Sequence, residues 1–172
     1  GSGKTTTILG IAKAFSEYNI CMLTYNAKLK IETRTRANEM KLNNIEVNSY
    51  HSFCCKHYLN NTSTDEKIRY IIDNNINPKD SLNYTMLIID EIQDMTPLYY
   101  ELVCKIAYDN NKSMLIVVTG DSHQSIYSFN LADERYLIFA DQLFKFNKRN
   151  WIRTNLSISY RTTKPIAEFL NK

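Results

Sequence analysis

The segment Leu87-Ile88-Ile89-Asp90-Glu91-Ile92-Gln93-Asp94 constrains this chain more than any other. Three apolar residues run straight into two adjacent carboxylates, with an amide and a third acid just beyond. A continuous apolar run suits a strand covered on both faces, so its acidic end must emerge at the edge of a sheet, where carboxylates can meet a cation and a water molecule. The complementary half of such a site opens the sequence. Gly1-Ser2-Gly3-Lys4-Thr5-Thr6 precedes the periodic apolar residues Ile8, Leu9, Ile11, Ala12 and Phe15, and it matches the last residues of the phosphate-binding pattern G-x-x-x-x-G-K-[ST]. Together the two segments imply binding and hydrolysis of ATP.

Each residue type has a task in that chemistry. Gly3 allows close approach of backbone to phosphate, Lys4 reaches the terminal phosphates, and Thr5 offers a hydroxyl to Mg²⁺. Gly1, Ser2 and Thr6 complete the cradle at the helix N-terminus. Asp90 is expected to hold Mg²⁺ through water, and Glu91 to polarise the attacking water. Alone, a Gly-Lys-Thr is a weak signal, and two acids after a strand can be a helix cap and a first-turn glutamate. The ordered pair of motifs, with Gln93 and Asp94 following, favours the nucleotide site. Because the leading glycine of the pattern is absent, the chain is expected to be a fragment, truncated at both ends and covering one domain, residues 1–172.

Composition bounds the rest. A chain of 172 residues with 44% hydrophobic and 23% charged residues has the makings of one ordinary globular core. No apolar run reaches the roughly 20 residues that span a bilayer, so no membrane partner is expected and an intracellular setting is. The cysteines Cys21, Cys54, Cys55 and Cys104 lack the spacing of a zinc site and read as buried or half-buried thiols. A net charge of +3 is too small to identify a polyanion partner.

Hydrophobic patterning alternates strands with helices, the mark of an α/β doubly wound parallel sheet. Strands are expected over Cys21–Tyr25, Ile45–Val47, Thr85–Asp90, Ser113–Thr119 and Arg153–Ile158, the fourth covered on both faces. Helices are expected from the phosphate loop to Tyr18, then over Lys28–Met40, His51–Leu59, Asp65–Asn74 with Thr64 as N-cap, Pro97–Tyr108, Asp133–Phe144 and Pro165–Leu170. Asn74–Asn83 reads as a loop.

Two further segments carry a family resemblance: Gly120-Asp121-Ser122-His123-Gln124-Ser125-Ile126-Tyr127-Ser128-Phe129 and Ile158-Ser159-Tyr160-Arg161-Thr162. With the first two motifs, in the same order, the chain resembles the first motor domain of superfamily 1 helicases of the UvrD/Rep type, including the F-box DNA helicase branch. DEIQD stands where that family has DEAQD, GDSHQSIYSF matches GDxxQSIYxFRGA, and SYRT matches NYRS. The resemblance implies an α/β RecA-like P-loop NTPase domain, mostly parallel sheet with helices on both faces. It also implies ATP and Mg²⁺ as cofactors, single-stranded DNA as partner, and a setting in DNA repair or recombination. By it, Gln124 senses the γ-phosphate, Tyr160 packs on the adenine and Arg161 touches the γ-phosphate.

Leu23-Thr24-Tyr25-Asn26-Ala27-Lys28 resembles the family's motif Ia and Asn48-Ser49-Tyr50-His51-Ser52-Phe53 its motif Ib. Both are single-strand DNA contacts in which aromatic faces meet bases and small polar groups meet phosphates. The residues so implied are Tyr25, Asn26, Ser49, Tyr50 and His51, joined by Tyr127 and Phe129. Tyr25 reads equally as a buried strand-end tyrosine, and Tyr50 as a core aromatic. Asn130 stands where the family often has arginine, and only residues 60–84 separate Leu59 from Thr85, where the family inserts a sizeable subdomain. A second RecA-like domain of the same polypeptide, bringing an arginine finger, is expected to complete the site, so this stretch alone should turn nucleotide over feebly. The activity implied is an ATP-dependent DNA helicase. The alternatives are a translocase that strips proteins from single strands without unwinding, and a catalytically weak nucleotide-gated DNA-binding module.

Overall fold

The computed structural model describes residues 3–110, 113–121, 133–146 and 150–156. Among these residues four strands, β1 (Ile20–Thr24), β2 (Ile45–Ser49), β3 (Met86–Asp90) and β4 (Leu115–Val118), form one sheet in the order β2-β1-β3-β4, every neighbouring pair parallel. All residues of the two central strands, β1 and β3, are buried. That explains their unbroken apolar sequences: a parallel strand covered on both sides has no wet face to alternate towards.

The helices divide between the two faces. Ile20, Met22, Val47, Met86 and Ile88 pack with Ile8 and Ala12 of α1 (Lys4–Ala14), and α2 (Ala27–Glu39) lies beside this layer, with Arg34 donating to the Val47 carbonyl at 2.6 Å. The opposite face, with Cys21, Leu23, Leu87 and Ile89, is covered by α3 (Tyr50–His57), α4 (Asp65–Asp73) and α5 (Pro97–Asp109) through Phe53, Ile68, Ile71, Leu102 and Ile106. The expected α/β architecture, a parallel sheet with helices on both faces, is the one the chain adopts. Thr64 and Thr96 stand at the N-caps of α4 and α5, and Pro97 occupies a first turn whose N–H needs no partner. All four cysteines are free thiols, Cys21 and Cys54 buried and the others half-buried. No helix among the described residues is long and apolar enough to cross a membrane.

Some expectations are corrected. The first helix stops at Ala14, four positions short of Tyr18, because Phe15 leaves helical geometry (φ −110°, ψ 56°) and packs edge-on against Tyr18. β4 is half-buried throughout, since β3 pairs with one side of it and no described strand pairs with the other. Residues 133–144 form two one-turn helices, α6 (Arg135–Ile138) and α7 (Ala140–Leu143), broken at Phe139; beyond the break, Ala140 and Phe144 are buried while Phe139 is exposed. Residues 150–156 carry no strand, and Ser157, Ile158 and the helix expected over 165–170 lie outside the described residues.

A buried ion pair ties the second face together. Lys105 of α5 lies 3.1 Å from Asp109, both side chains 6% exposed, and donates to Asn75 at 2.9 Å. The Tyr58 hydroxyl donates to Asp109 at 2.7 Å. Removing one partner of such a pair strands the other's charge in low dielectric. Lys105→Met is therefore expected to cost about 3–5 kcal/mol in urea denaturation, despite its matched volume.

Candidate nucleotide site and the adjoining aromatic face

The strand register builds the site. Thr24 pairs with Ser49 on one side and with Asp90 on the other, and Thr119 follows β4 beside Asp90. At this carboxyl edge the α1 helix begins. Its cap, Gly3, has φ 80°, a left-handed conformation suited to a residue without Cβ. Lys4 is the first helical residue, and its ammonium lies 2.8 Å from Glu91 Oε2. Thr5, half-buried, and Thr6, exposed, follow in the first turn. The structure thus joins Lys4 to Glu91 directly, and both belong to the expected phosphate site.

Glu91 also adopts a left-handed backbone, φ 52° and ψ 47°, which costs a residue with a side chain roughly 1–3 kcal/mol. The conformation is held from both sides: Ile92 N–H donates to the Thr119 carbonyl at 3.0 Å, and Asp94 N–H to the Glu91 carbonyl at 2.9 Å. It turns the chain out of β3 into the short 3₁₀ turn Ile92–Asp94.

Asp90 is 1% exposed. Its Oδ1 accepts from the Glu91 N–H at 3.0 Å and from the Thr119 hydroxyl. Its Oδ2 is buried with no hydrogen-bond partner among the described residues. Burial pushes this carboxyl above its usual range, against the lowering effect of the Thr119 bond. A buried oxygen left without a donor is costly unless a cation can use it, so the residues present suit a divalent ion. Asp94 has a second such atom, Oδ1. Burial and then the Glu91 charge push its carboxyl up to about 6, with Lys4 opposing.

Gln93, 2% exposed, joins this cluster to the next motif. Its amide N–H donates to Glu91 Oε2 at 2.8 Å, and its amide oxygen accepts from the Asp121 N–H at 3.1 Å. Reversing the amide would set donor against donor at Asp121 and acceptor against acceptor at Glu91, so both partners fix its orientation. A Cβ on Gly120 would stand 2.7 Å from that amide oxygen and 3.0 Å from Ile92 Cγ2, so any side chain there must displace the Gln93 amide.

The segments resembling motifs Ia and Ib start helices at the same edge. Asn26 caps α2, accepting from Lys28 N–H at 2.8 Å; Ser49 caps α3 in a reciprocal capping box with Ser52. Tyr25 is 37% exposed and meets Tyr99 edge-on at 5.9 Å. Its alternative reading as a buried strand-end residue does not hold. Tyr50 does read as core: it is 3% exposed and stacks flat on Tyr99, 4.3 Å between centroids and 6° between planes. The expectation that Tyr50 offers a face to a base is corrected by that stack, which leaves no room for one. His51 is half-buried, 3.0 Å from Asp65. Gly1, Ser2, Gln124, Tyr127, Phe129, Tyr160 and Arg161 lie outside the described residues.

Three residues that sequence reasoning passed over belong to the site, and a fourth, Gln93, was noted within its motif but given no task. Thr119 directly precedes the Gly120 motif, and the strand expected to end there was its signal. Tyr99 and Asp65 come from helices with no motif, and nothing in their local sequence marks them.

A parallel sheet whose central strand ends in a buried and a half-buried carboxylate, against a lysine opening a glycine-capped helix, defines a P-loop nucleotide-binding domain. The chain belongs to the AAA domain family, matched over residues 1–130, and over shorter stretches it is similar to proteins of known helicase systems. It is similar to RecB of the RecBCD enzyme from Buchnera aphidicola subsp. Schizaphis graminum, 34% identical over 113 residues, covering 66% of this chain and 8% of that protein. It is similar to ATP-dependent DNA helicase srs2 of Schizosaccharomyces pombe, 35% identical over 86 residues, 50% of this chain and 9% of that one. To ATP-dependent DNA helicase UvrD2 of Mycobacterium bovis it is 32% identical over 89 residues, 52% and 12%. The matched stretch is thus a small part of each of these relatives' length.

Two measurements probe the cluster. Gly120→Ala is expected to lower stability by about 1–3 kcal/mol in chemical denaturation, because the new methyl displaces the Gln93 amide. For Asp94 the sign follows from its shift. Its folded pKa, about 6, lies above the ordinary 3.8, so the fold disfavours the charged form and gains stability as pH falls through that window. Without nucleotide or Mg²⁺, Asp94→Asn should be more stable than the parent at pH 7, with a flatter stability profile between pH 6 and 4.

Proposed function

We propose that this chain is the N-terminal motor domain of an ATP-dependent DNA helicase, coupling ATP hydrolysis to movement along single-stranded DNA and to duplex unwinding. The observation that carries the reading is the contact of Lys4 with Glu91 beside the partnerless Asp90 Oδ2. One ammonium and one carboxylate neutralise each other in the position where a triphosphate would engage the first and a water the second. Transfer of Lys4 to the phosphates frees a Glu91 oxygen, which then polarises the attacking water, while Gln93 keeps the carboxylate aimed. Asp90 and Thr5 would hold Mg²⁺; once bound, that ion neutralises charge on the phosphates. By the family resemblance, Gln124 and Arg161 attend the γ-phosphate, Tyr160 covers the adenine, Gly1 and Ser2 extend the cradle, and a second RecA-like domain supplies an arginine.

Single-stranded DNA would lie over the adjoining helix starts, where Tyr25 and His51 are exposed or half-exposed and Asn26 and Ser49 cap dipoles that attract phosphates. Tyr127 and Phe129 extend this track in the same reading. A second reading is translocation that clears proteins from DNA without separating strands. It is favoured by the stretch 60–84, which holds the single helix α4 where the family carries a subdomain.

The full-length protein is expected to hydrolyse ATP faster with single-stranded DNA and Mg²⁺ than without DNA. Lys4→Ala should weaken nucleotide binding, whereas Glu91→Gln should bind nucleotide and lose about 10²-fold or more in turnover. Equal loss of nucleotide affinity in both variants would remove these roles. Absence of any DNA stimulation in the parent would leave a nucleotide-gated binding module, and translocation without strand displacement would select the second reading.

A further inference from the structure

The exposed part of the aromatic face depends on a carboxylate from outside every motif. Asp65 opens α4, and its Oδ1 lies 3.0 Å from His51 Nε2 and accepts the Tyr99 hydroxyl at 2.9 Å. Tyr99, 5% exposed, is the hub of the face. Tyr50 stacks on its ring, while Tyr25 and His51 meet it edge-on at 5.9 and 6.1 Å. Tyr25, Tyr50 with His51, Asp65 and Tyr99 come from four separate segments. Asp65 is the point at which two of them are tied by one oxygen.

The geometry points to Asp65 as a positioning residue for single-stranded DNA: it locks His51, and through Tyr99 the Tyr25 ring, into the arrangement a nucleic-acid strand meets. The inference rests on the reading of this edge as a DNA contact. It assigns a task to the short stretch 60–84, which supplies a strut beneath the contact from the helix α4. Charge alone argues the other way. The Asp65 side chain is 57% exposed, and a bare carboxylate beside a phosphate chain repels it, so its removal should tighten binding at fixed salt. A helix-opening acid with no further role would answer only to the dipole of its own helix. The three readings therefore predict different responses to substitution.

Two substitutions separate charge from geometry. Asp65→Asn discards the charge yet keeps an oxygen that can accept from both His51 and Tyr99. Asp65→Glu keeps the charge, stays favourable at a helix start, and moves the oxygen by one methylene. Affinity of the full-length protein for a labelled oligo-dT strand is measured at fixed salt, with thermal unfolding of each variant as the check on folding. Positioning predicts that Asp65→Asn binds within about twofold of the parent, while Asp65→Glu binds about three- to tenfold more weakly. In a His51→Ala, Tyr25→Ala background, Asp65→Glu should cost nothing further. Parental affinity in Asp65→Glu, or a full additional loss in the double background, overturns the inference. If His51→Ala and Tyr25→Ala each leave oligo-dT affinity unchanged, the DNA reading of this edge fails first, and the role of Asp65 falls with it.

Discussion

Parallel strands that end level are the constraint from which the rest follows. The register sets Ser49, Thr24 and Asp90 side by side, with Thr119 next in the row. Because a parallel sheet returns through helices, α2 and α3 leave from this same edge within three residues of the ends of β1 and β2, and α1 begins there, as the Lys4 contact with Glu91 demonstrates. Three helix N-termini with their partly positive N–H groups therefore gather along one rim. A nucleotide and a nucleic-acid strand present the same chemistry to such a rim, phosphate oxygen. The topology thus accounts for the two candidate sites being neighbours.

The charges at the rim are unbalanced. Among the described residues Asp90, Glu91 and Asp94 lie close together around Lys4; burial raises the carboxyls of Asp90 and Asp94, opposed at Asp90 first by the Thr119 bond and more weakly by Lys4, and at Asp94 by Lys4. Burial makes the excess negative charge expensive. Lys4 relieves part of it by pairing with Glu91, and Thr119 relieves part by bonding to Asp90. The Asp90 oxygen left without a partner among the described residues is the atom a divalent cation would neutralise.

Much of this was legible in the sequence, and the limits are instructive. Continuous apolar runs located β1 and β3 because burial on both faces leaves no polar alternation, and Lys4, Asp90 and Glu91 were named by residue type and spacing. The fate of Tyr50 was not legible. An aromatic among small polar residues reads the same whether its face is open or covered, and the cover, Tyr99, comes from α5. The left-handed Glu91 carries no glycine or asparagine to announce it; it is imposed by the Ile92 and Asp94 bonds. The break at Phe139 has no proline or glycine either. For β4, an apolar run signalled a strand but could not say how many neighbours it would have.

The contact between Gly120 and Gln93 has a historical side. The amide oxygen occupies the space that a methyl at position 120 would need, so the two positions are not independent in any lineage carrying this arrangement. A methyl at 120 asks the Gln93 amide to move or position 93 to shorten, and either change gives up the bonds to Glu91 and to Asp121 while Ile92 Cγ2 and Leu137 Cδ2 stay close. Either order of change therefore runs through a loosened Glu91 carboxylate, so the two positions are read together by the site they serve.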